Sequence, residues 1–366
     1  MDSGALVAVV PNAFSRPRAA LLASNVRAML SARSLGFSSV RRDGDVIAVE
    51  ADDPVFASSA IGLLFGASRV SIARRAGTSM AELVEAVSQT ASGLLLRGER
   101  FVVRVGGRTP GYLARDAERA ATSAIISSAS RSGARPGTAS AHDRAIHAHV
   151  ARSHSYVGIF SDDGRGGVPF GSHAGTVACP VHDELSAVAM LECLRQGHDV
   201  LPVMAHSTDA ERTRLMRPIC RAVSSIPRAS SRADFVRVPR SRGAARLAAA
   251  IGAAIASAHG AHAARVCVPT SPLVHGEALA DSLGARVRDA GLAASFPLAG
   301  VESRIESHAA ALGIGTMARH VARLCASRMG DLPDGAPPRE SARQSLDVRV
   351  GPNMVHDALD SLAGGR

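Results

Sequence analysis

The chain has 366 residues, 46% of them apolar, which is enough for two or three domains with sizeable cores. Phe, Tyr and Trp reach only 3%, so the cores rest on Ala, Val, Leu and Ile, and a nucleic-acid surface built on aromatic stacking is excluded. The formal net charge is +10 without a single lysine, which excludes Schiff-base chemistry and a Walker-type phosphate lysine but suits a polyanionic partner held by arginine.

Leu6–Val10 reads as a strand, and the 3.6-residue spacing of Leu21, Leu22, Val26, Met29 and Leu30 makes Pro17–Leu30 a helix. Val46–Glu50 alternates as a strand, Ser58–Phe65 looks helical up to Gly66, and Val70–Ala73 is a further strand. This β-α-β-α-β order suggests a small ferredoxin-like unit over residues 1–75. Ser79–Leu95 is a strong amphipathic helix, Phe101–Val105 a strand, and Tyr112–Ser130 a helix with Arg115 and Arg119 four apart on one face. After the polar loop Arg131–Ala139, the runs Ala145–Val150 and Tyr156–Ser161 alternate as a hairpin.

From Thr176 the rhythm changes. Strands at Val177–Pro180, Asp199–Ala205, Phe235–Val238 and Ala264–Val268 alternate with helices at Ala187–Arg195, Asp209–Val223 and Ala244–His259. That order predicts a parallel, doubly wound sheet with its ligand site at the C-terminal strand ends. Residues 331–345, with Pro333, Pro337 and Pro338, read as a linker or irregular tail. The five cysteines, Cys179, Cys193, Cys220, Cys267 and Cys325, are scattered and form no CxxC. This argues against a disulfide scaffold or structural zinc and for a reducing compartment. Without a signal peptide or a membrane-length apolar run, a cytoplasmic location is expected.

The stretch 164–186, GRGGVPFGSHAGTVACPVHDELS, carries the most information. A strand that passes through a tight loop into a helix is where a nucleotide-binding fold places phosphate, because free N–H groups and the helix dipole point there. Yet the loop Val181-His182-Asp183-Glu184-Leu185 contains no glycine and two acids. It has the architecture of a phosphate site and residues that oppose one.

Several signatures in this order resemble the tRNA 4-thiouridine synthases (tRNA sulfurtransferases). Leu64-Phe65-Gly66-Ala67-Ser68 resembles the element that closes their N-terminal domain, and Phe101–Arg119 the basic strand and helix of their THUMP domain. Gly166-Gly167-Val168-Pro169-Phe170-Gly171 resembles the crossing into their catalytic domain. His275-Gly276-Glu277-Ala278-Leu279 resembles their "GE-LG" turn, and Phe296-Pro297-Leu298 their "LRPL". The resemblance implies a ferredoxin-like domain at 1–75, a THUMP RNA-binding domain at 76–170, a PP-loop ATP-pyrophosphatase-like domain at 171–335 and a C-terminal tail at 336–366. It further implies tRNA as partner, a sulfur-donor protein and a homodimer, and the lack of a membrane-length apolar run leads to the expectation of no membrane.

The departures are equally specific. In the family's SGGxDS loop, glycines let backbone N–H groups close around pyrophosphate; aligned on the last serine, Val181–Ser186 keeps only Ser186. His182 and Asp183 fill the glycine positions, Leu185 the aspartate, and the acids Asp183 and Glu184 repel phosphate. The family's "DK-EI" lysine is also absent from Glu302-Ser303-Arg304-Ile305-Glu306, leaving Arg304 as a neighbouring substitute.

The expected protein is therefore a tRNA-binding THUMP protein whose adenylating loop has degenerated. The alternative is an active enzyme that uses ATP and Mg²⁺ to adenylate uridine O4 and Cys325 to deliver sulfur. No glycine-rich loop supports a SAM-dependent methyltransferase. Arg104, Arg108, Arg115 and Arg119 are the candidate tRNA contacts, against a solvated helix face. Asp183, Ser186, Gly276 and Glu277 are the candidate remnant of a nucleotide site, against a plain turn. Cys325, aligned with the family's catalytic cysteine, is the candidate sulfur carrier, against a small core residue. His182, Asp183 and Glu184 are expected to be solvated rather than metal-binding, and His206 to be a surface histidine.

Overall fold

The computed structural model describes residues 4–128, 133–314, 343–350 and 354–364, arranged as two compact units divided between Gly167 and Val168. Cys325 and the Gly315-Thr316 turn lie outside the described residues.

The first unit is built on one eight-stranded sheet. Its strands are β1 (Leu6–Pro11), β2 (Phe37–Asp43), β3 (Val46–Ala51), β4 (Ala67–Ala76), β5 (Arg100–Gly107), β6 (Arg135–Pro136), β7 (Arg144–Val150) and β8 (Ser155–Asp163). Their spatial order is β2-β3-β1-β4-β8-β7-β5-β6. Four helices pack on it: α1 (Ala19–Ala32), α2 (Pro54–Ile61), α3 (Met80–Leu94) and α4 (Ala114–Ser128). Strand alternation sorts the side chains. Val7 and Val9 join Leu22, Val26, Met29 and Ile61 in one core, whereas Leu6 and Ala8 face the other way with Val46, Ala48 and Tyr156. A separate core gathers Phe101, Val103, Ile146 and Val157 beneath Leu83, Val87, Ala117 and Ile125 of α3 and α4.

Local chemistry explains the helix limits. Ser79 and Glu82 form a capping box at the start of α3. The second helix begins earlier than Ser58, because the Asp53 carboxylate accepts the N–H groups of Val55 and Phe56 and Pro54 sits in its first turn. The boundary expected at residue 75 falls inside β4, which pairs with both β1 and β8. The two turns that carry part of the family resemblance also meet: Gly66 N–H donates to the Gly166 carbonyl at 2.6 Å.

Among the described residues the second unit has six strands, in the order β13-β12-β9-β10-β11-β14. They are β9 (Thr176–Val181), β10 (Asp199–His206), β11 (Ser230–Arg237), β12 (Arg265–Cys267), β13 (Ala293–Ser295) and β14 (Arg343–Arg349). All pairings are parallel except β11 with β14. The helices are α5 (Glu184–Arg195), α6 (Asp209–Val223), α7 (Gly243–Gly260), α8 (Glu277–Asp289), α9 (Ile305–Ala311) and α10 (Met354–Gly364). Alanines of α7 and leucines of α8 cover one face through Ala178, Leu201, Val203 and Val266. The chain runs from β9 outward to β11, then crosses back to β12 on the other side of β9. The topological switch point therefore lies between β9 and β12.

Residues 343–349, within the expected tail, instead form the antiparallel edge strand β14, followed by α10. Leu346 and Val348 of the strand and Val350 just after it recur at period 2. The upstream prolines obscured that pattern.

Candidate functional site

At the switch point β9 ends in Val181, and α5 begins directly after Asp183. Asp183 is the N-cap of α5: its carboxylate accepts the Ser186 N–H at 2.8 Å. Ser186 Oγ in turn accepts the N–H groups of His182 and Asp183, at 2.9 and 3.0 Å. Ser186 is 1% exposed. Three of the N–H donors that a phosphate loop could present, those of His182, Asp183 and Ser186, are thus consumed within the loop itself. Glu184 is ion-paired with Arg214 of α6. The acids are thus paired and capped rather than solvated, contrary to expectation, because α5 and α6 pack against each other.

The neighbouring loop follows the same logic. Arg246 of α7 is buried and donates to Ser207 Oγ, to the Ala205 carbonyl at 2.9 Å and to Glu211 at 3.1 Å. The Ser207 N–H also donates to Glu211, at 2.7 Å. Arg214 and Arg246 therefore each have a carboxylate partner, Glu184 and Glu211. His206 closes β10 and is buried, not on the surface; burial and nearby Arg212 and Arg237 keep its imidazole below the usual range. Arg304 lies 3.8 Å from the buried Glu192.

Across the switch point, the segment after β12 lines a cavity of about 560 Å³ with Thr270, Ser271, His275, Gly276, Glu277 and Phe296. Gly276 is the N-cap of α8, with φ −64°. A Cβ there would meet nothing within 4 Å, so neither backbone conformation nor packing demands glycine. His275 Nδ1 accepts the Ser271 N–H at 3.1 Å. Burial lowers its pKa and the field of Asp183 raises it, which links this cavity to the β9 loop. The structure thus brings Asp183, Ser186, Gly276 and Glu277 to the same end of the sheet.

The candidate arginines divide into two places. On β5, Phe101 and Val103 face the helices, so Arg104 faces the opposite side of the sheet. There it lines a cavity of about 450 Å³ with Arg16, Arg69, His147 and Glu118. Arg115 and Arg119 are exposed on α4, and Arg108 is exposed after β5. None of the four has a carboxylate ion-pair partner among the described residues. Sequence reasoning missed Arg16, Arg69 and His147. His147 Nδ1 lies 2.6 Å from the Arg69 guanidinium, and burial together with that charge pushes its pKa down to about 4. The alternation of Arg69 with Ser71, and of His147 with His149, was the available signal.

No protein-family model matches the chain. Over 201 residues it is 26% identical to the curated Methanosarcina acetivorans protein named "Probable tRNA sulfurtransferase". That match covers 53% of this chain and 48% of the relative, so the chain spans about half the length of the protein it matches. Among solved structures, PH1313 from Pyrococcus horikoshii has a TM-score of 0.63 at 16% identity, covering 85% of this chain and 100% of that one. A 4-thiouridine synthetase–RNA complex with bound ATP has a TM-score of 0.58 at 14% identity, covering 98% and 95%. The chain is thus similar in sequence, over about half its length, to a tRNA sulfurtransferase, and it shares the fold of the 4-thiouridine synthetase.

Proposed function

We propose that this relative of the tRNA sulfurtransferases binds tRNA and has lost ATP-dependent activation of the nucleotide. The first unit serves as the ferredoxin-like and THUMP domains, and the second as a PP-loop-derived domain. The observation that carries the reading is the reciprocal cap of Asp183 and Ser186. A pyrophosphate at the start of α5 would need the N–H groups of His182, Asp183 and Ser186, all of which are already bonded. It would also meet the Asp183 carboxylate, and two like charges about 5 Å apart repel by about 3 kcal/mol at a surface-like effective dielectric. The residues of this loop do not fit the triphosphate of ATP, so no adenylation step is derived through it.

The RNA side of the proposal rests on charge. Arg104, Arg108, Arg115 and Arg119 present guanidiniums without carboxylate ion-pair partners among the described residues, suited to phosphate oxygens and carrying no base readout. The structural neighbour captured as an RNA complex supports an RNA ligand for this architecture.

The deciding experiment measures tRNA binding and tRNA-dependent cleavage of ATP to AMP and pyrophosphate on the same purified chain. Bound tRNA without cleavage is expected. Cleavage above background overturns the proposal in favour of an active sulfurtransferase with Mg²⁺-ATP, and Cys325→Ala would then show whether that residue delivers sulfur.

A further inference from the structure

Three of the four described cysteines converge in the second unit. Cys179 on β9, Cys193 on α5 and Cys267 on β12 place their sulfurs within 4.8 Å of one another. All three are 0% exposed. The ladder explains two of them: Val266 lies opposite Ala178, so Cys267 follows alongside Cys179. Ala178 and Val266 point into the core under α7, which turns Cys179 and Cys267 to the opposite face. There α5 covers them and supplies Cys193. Cys220, on α6, stays outside the group.

We propose that Cys179, Cys193 and Cys267 form a three-sulfur site for a thiophilic monovalent cation, with Cu(I) as the ion of that class. The donor set selects it. No carboxylate or imidazole among the described residues completes the group, so hard cations, which require oxygen, are excluded. Zinc takes four ligands in closed sites, and this dry pocket provides three. An iron–sulfur cluster would hold its cysteines farther apart, with iron and sulfide between them. Each thiol that ionises on binding releases its proton to the buffer.

The test uses the full chain, reduced and anaerobic. It is titrated with Cu(I) against a Cu(I)-selective chelator, once in the native state and once during refolding, since a fully buried site opens only transiently. Expected are one Cu(I) per chain, an ultraviolet thiolate-to-copper band, and three sulfur neighbours by X-ray absorption. Cys179→Ser, Cys193→Ser and Cys267→Ser should each lose the band, while Cys220→Ser and Cys325→Ser keep it. If the triad variants fail to fold, the unmodified chain decides: copper must protect Cys179, Cys193 and Cys267 from alkylation, as mapped by peptide mass spectrometry. Failure to load by either route, nitrogen or oxygen neighbours, unchanged alkylation of the three, or loss of the band in the Cys220 or Cys325 variant would overturn the assignment. Stable retention of zinc instead of copper would do so as well.

Discussion

The Asp183 carboxylate accepts the Ser186 N–H at 2.8 Å, while Ser186 Oγ accepts the N–H groups of His182 and Asp183 at 2.9 and 3.0 Å. The pair ends β9, starts α5 and ties up the N–H groups of His182, Asp183 and Ser186. Its role is then structural. Asp183→Ala removes an N-cap and should lower stability by about 1 kcal/mol. Ser186→Ala strips a partner from two N–H groups and should cost about 1–3 kcal/mol, read from denaturant midpoints. Neither change should alter tRNA affinity. A weaker tRNA complex in either variant would show that the loop touches RNA, against separate sites.

The exposed arginines of α4 predict an electrostatic signature. Arg115→Ala combined with Arg119→Ala should weaken tRNA binding uniformly across sequences. It should also make the dependence of log K on log salt shallower by about 1–2. A control at Arg232, which sits beside Asp234 rather than facing solvent unpaired, should leave the slope as it is. An unchanged slope in the double variant would remove α4 from the RNA surface.

These two readings differ in how far the sequence alone supports them. The apolar strand at Leu6–Val10, the amphipathic helix from Ser79 and the β-α rhythm from Thr176 are local signals, and the structure keeps all of them. So is the missing glycine between Val181 and Ser186. What stayed hidden depends on contacts distant in the chain. Arg246 meets Glu211 from a different helix, and nothing in either segment names the other. Cys179, Cys193 and Cys267 have no motif spacing, because a strand, a helix and a strand across the switch point bring them together. The early start of α2 was legible in Asp53-Pro54 but was outweighed by the apolar run that follows.

Acid should act on the first unit through His147. Its pKa is about 4 in the fold against 6.5 for the free imidazole, lowered by burial and by Arg69. Between those values the unfolded chain binds more protons, so the stability contributed by the neutral imidazole is complete above pH 6.5 and lost as pH falls towards 4. His147→Gln should flatten the decline of the unfolding midpoint across this window. A phosphate held by Arg69 and Arg104 in the same cavity would pull the pKa of His147 upward. The histidine's NMR titration should therefore shift to higher pH when RNA is added. A titration that does not move would place the phosphates elsewhere.

The C-terminal strand is fastened by one buried carboxylate. Asp234 on β11 is 0% exposed, and Ser345 of β14 donates its hydroxyl to it at 2.7 Å, with Arg232 at 3.4 Å. The other carboxylate oxygen has no partner among the described residues, so the Ser345 bond counts for more than an ordinary surface contact. Ser345→Ala should cost about 1.5–3 kcal/mol, the range for a hydrogen bond to a charged group. Deleting residues 343–366 should do more. It uncovers the edge of β11, where Ala233, Phe235 and Val236 are buried, and an unprotected apolar edge recruits other chains. Light scattering of the truncated chain should rise with concentration at temperatures where the full chain stays monodisperse. If the truncated chain remains equally monodisperse and equally stable, β14 is an accessory to the sheet, and Asp234 is satisfied without it.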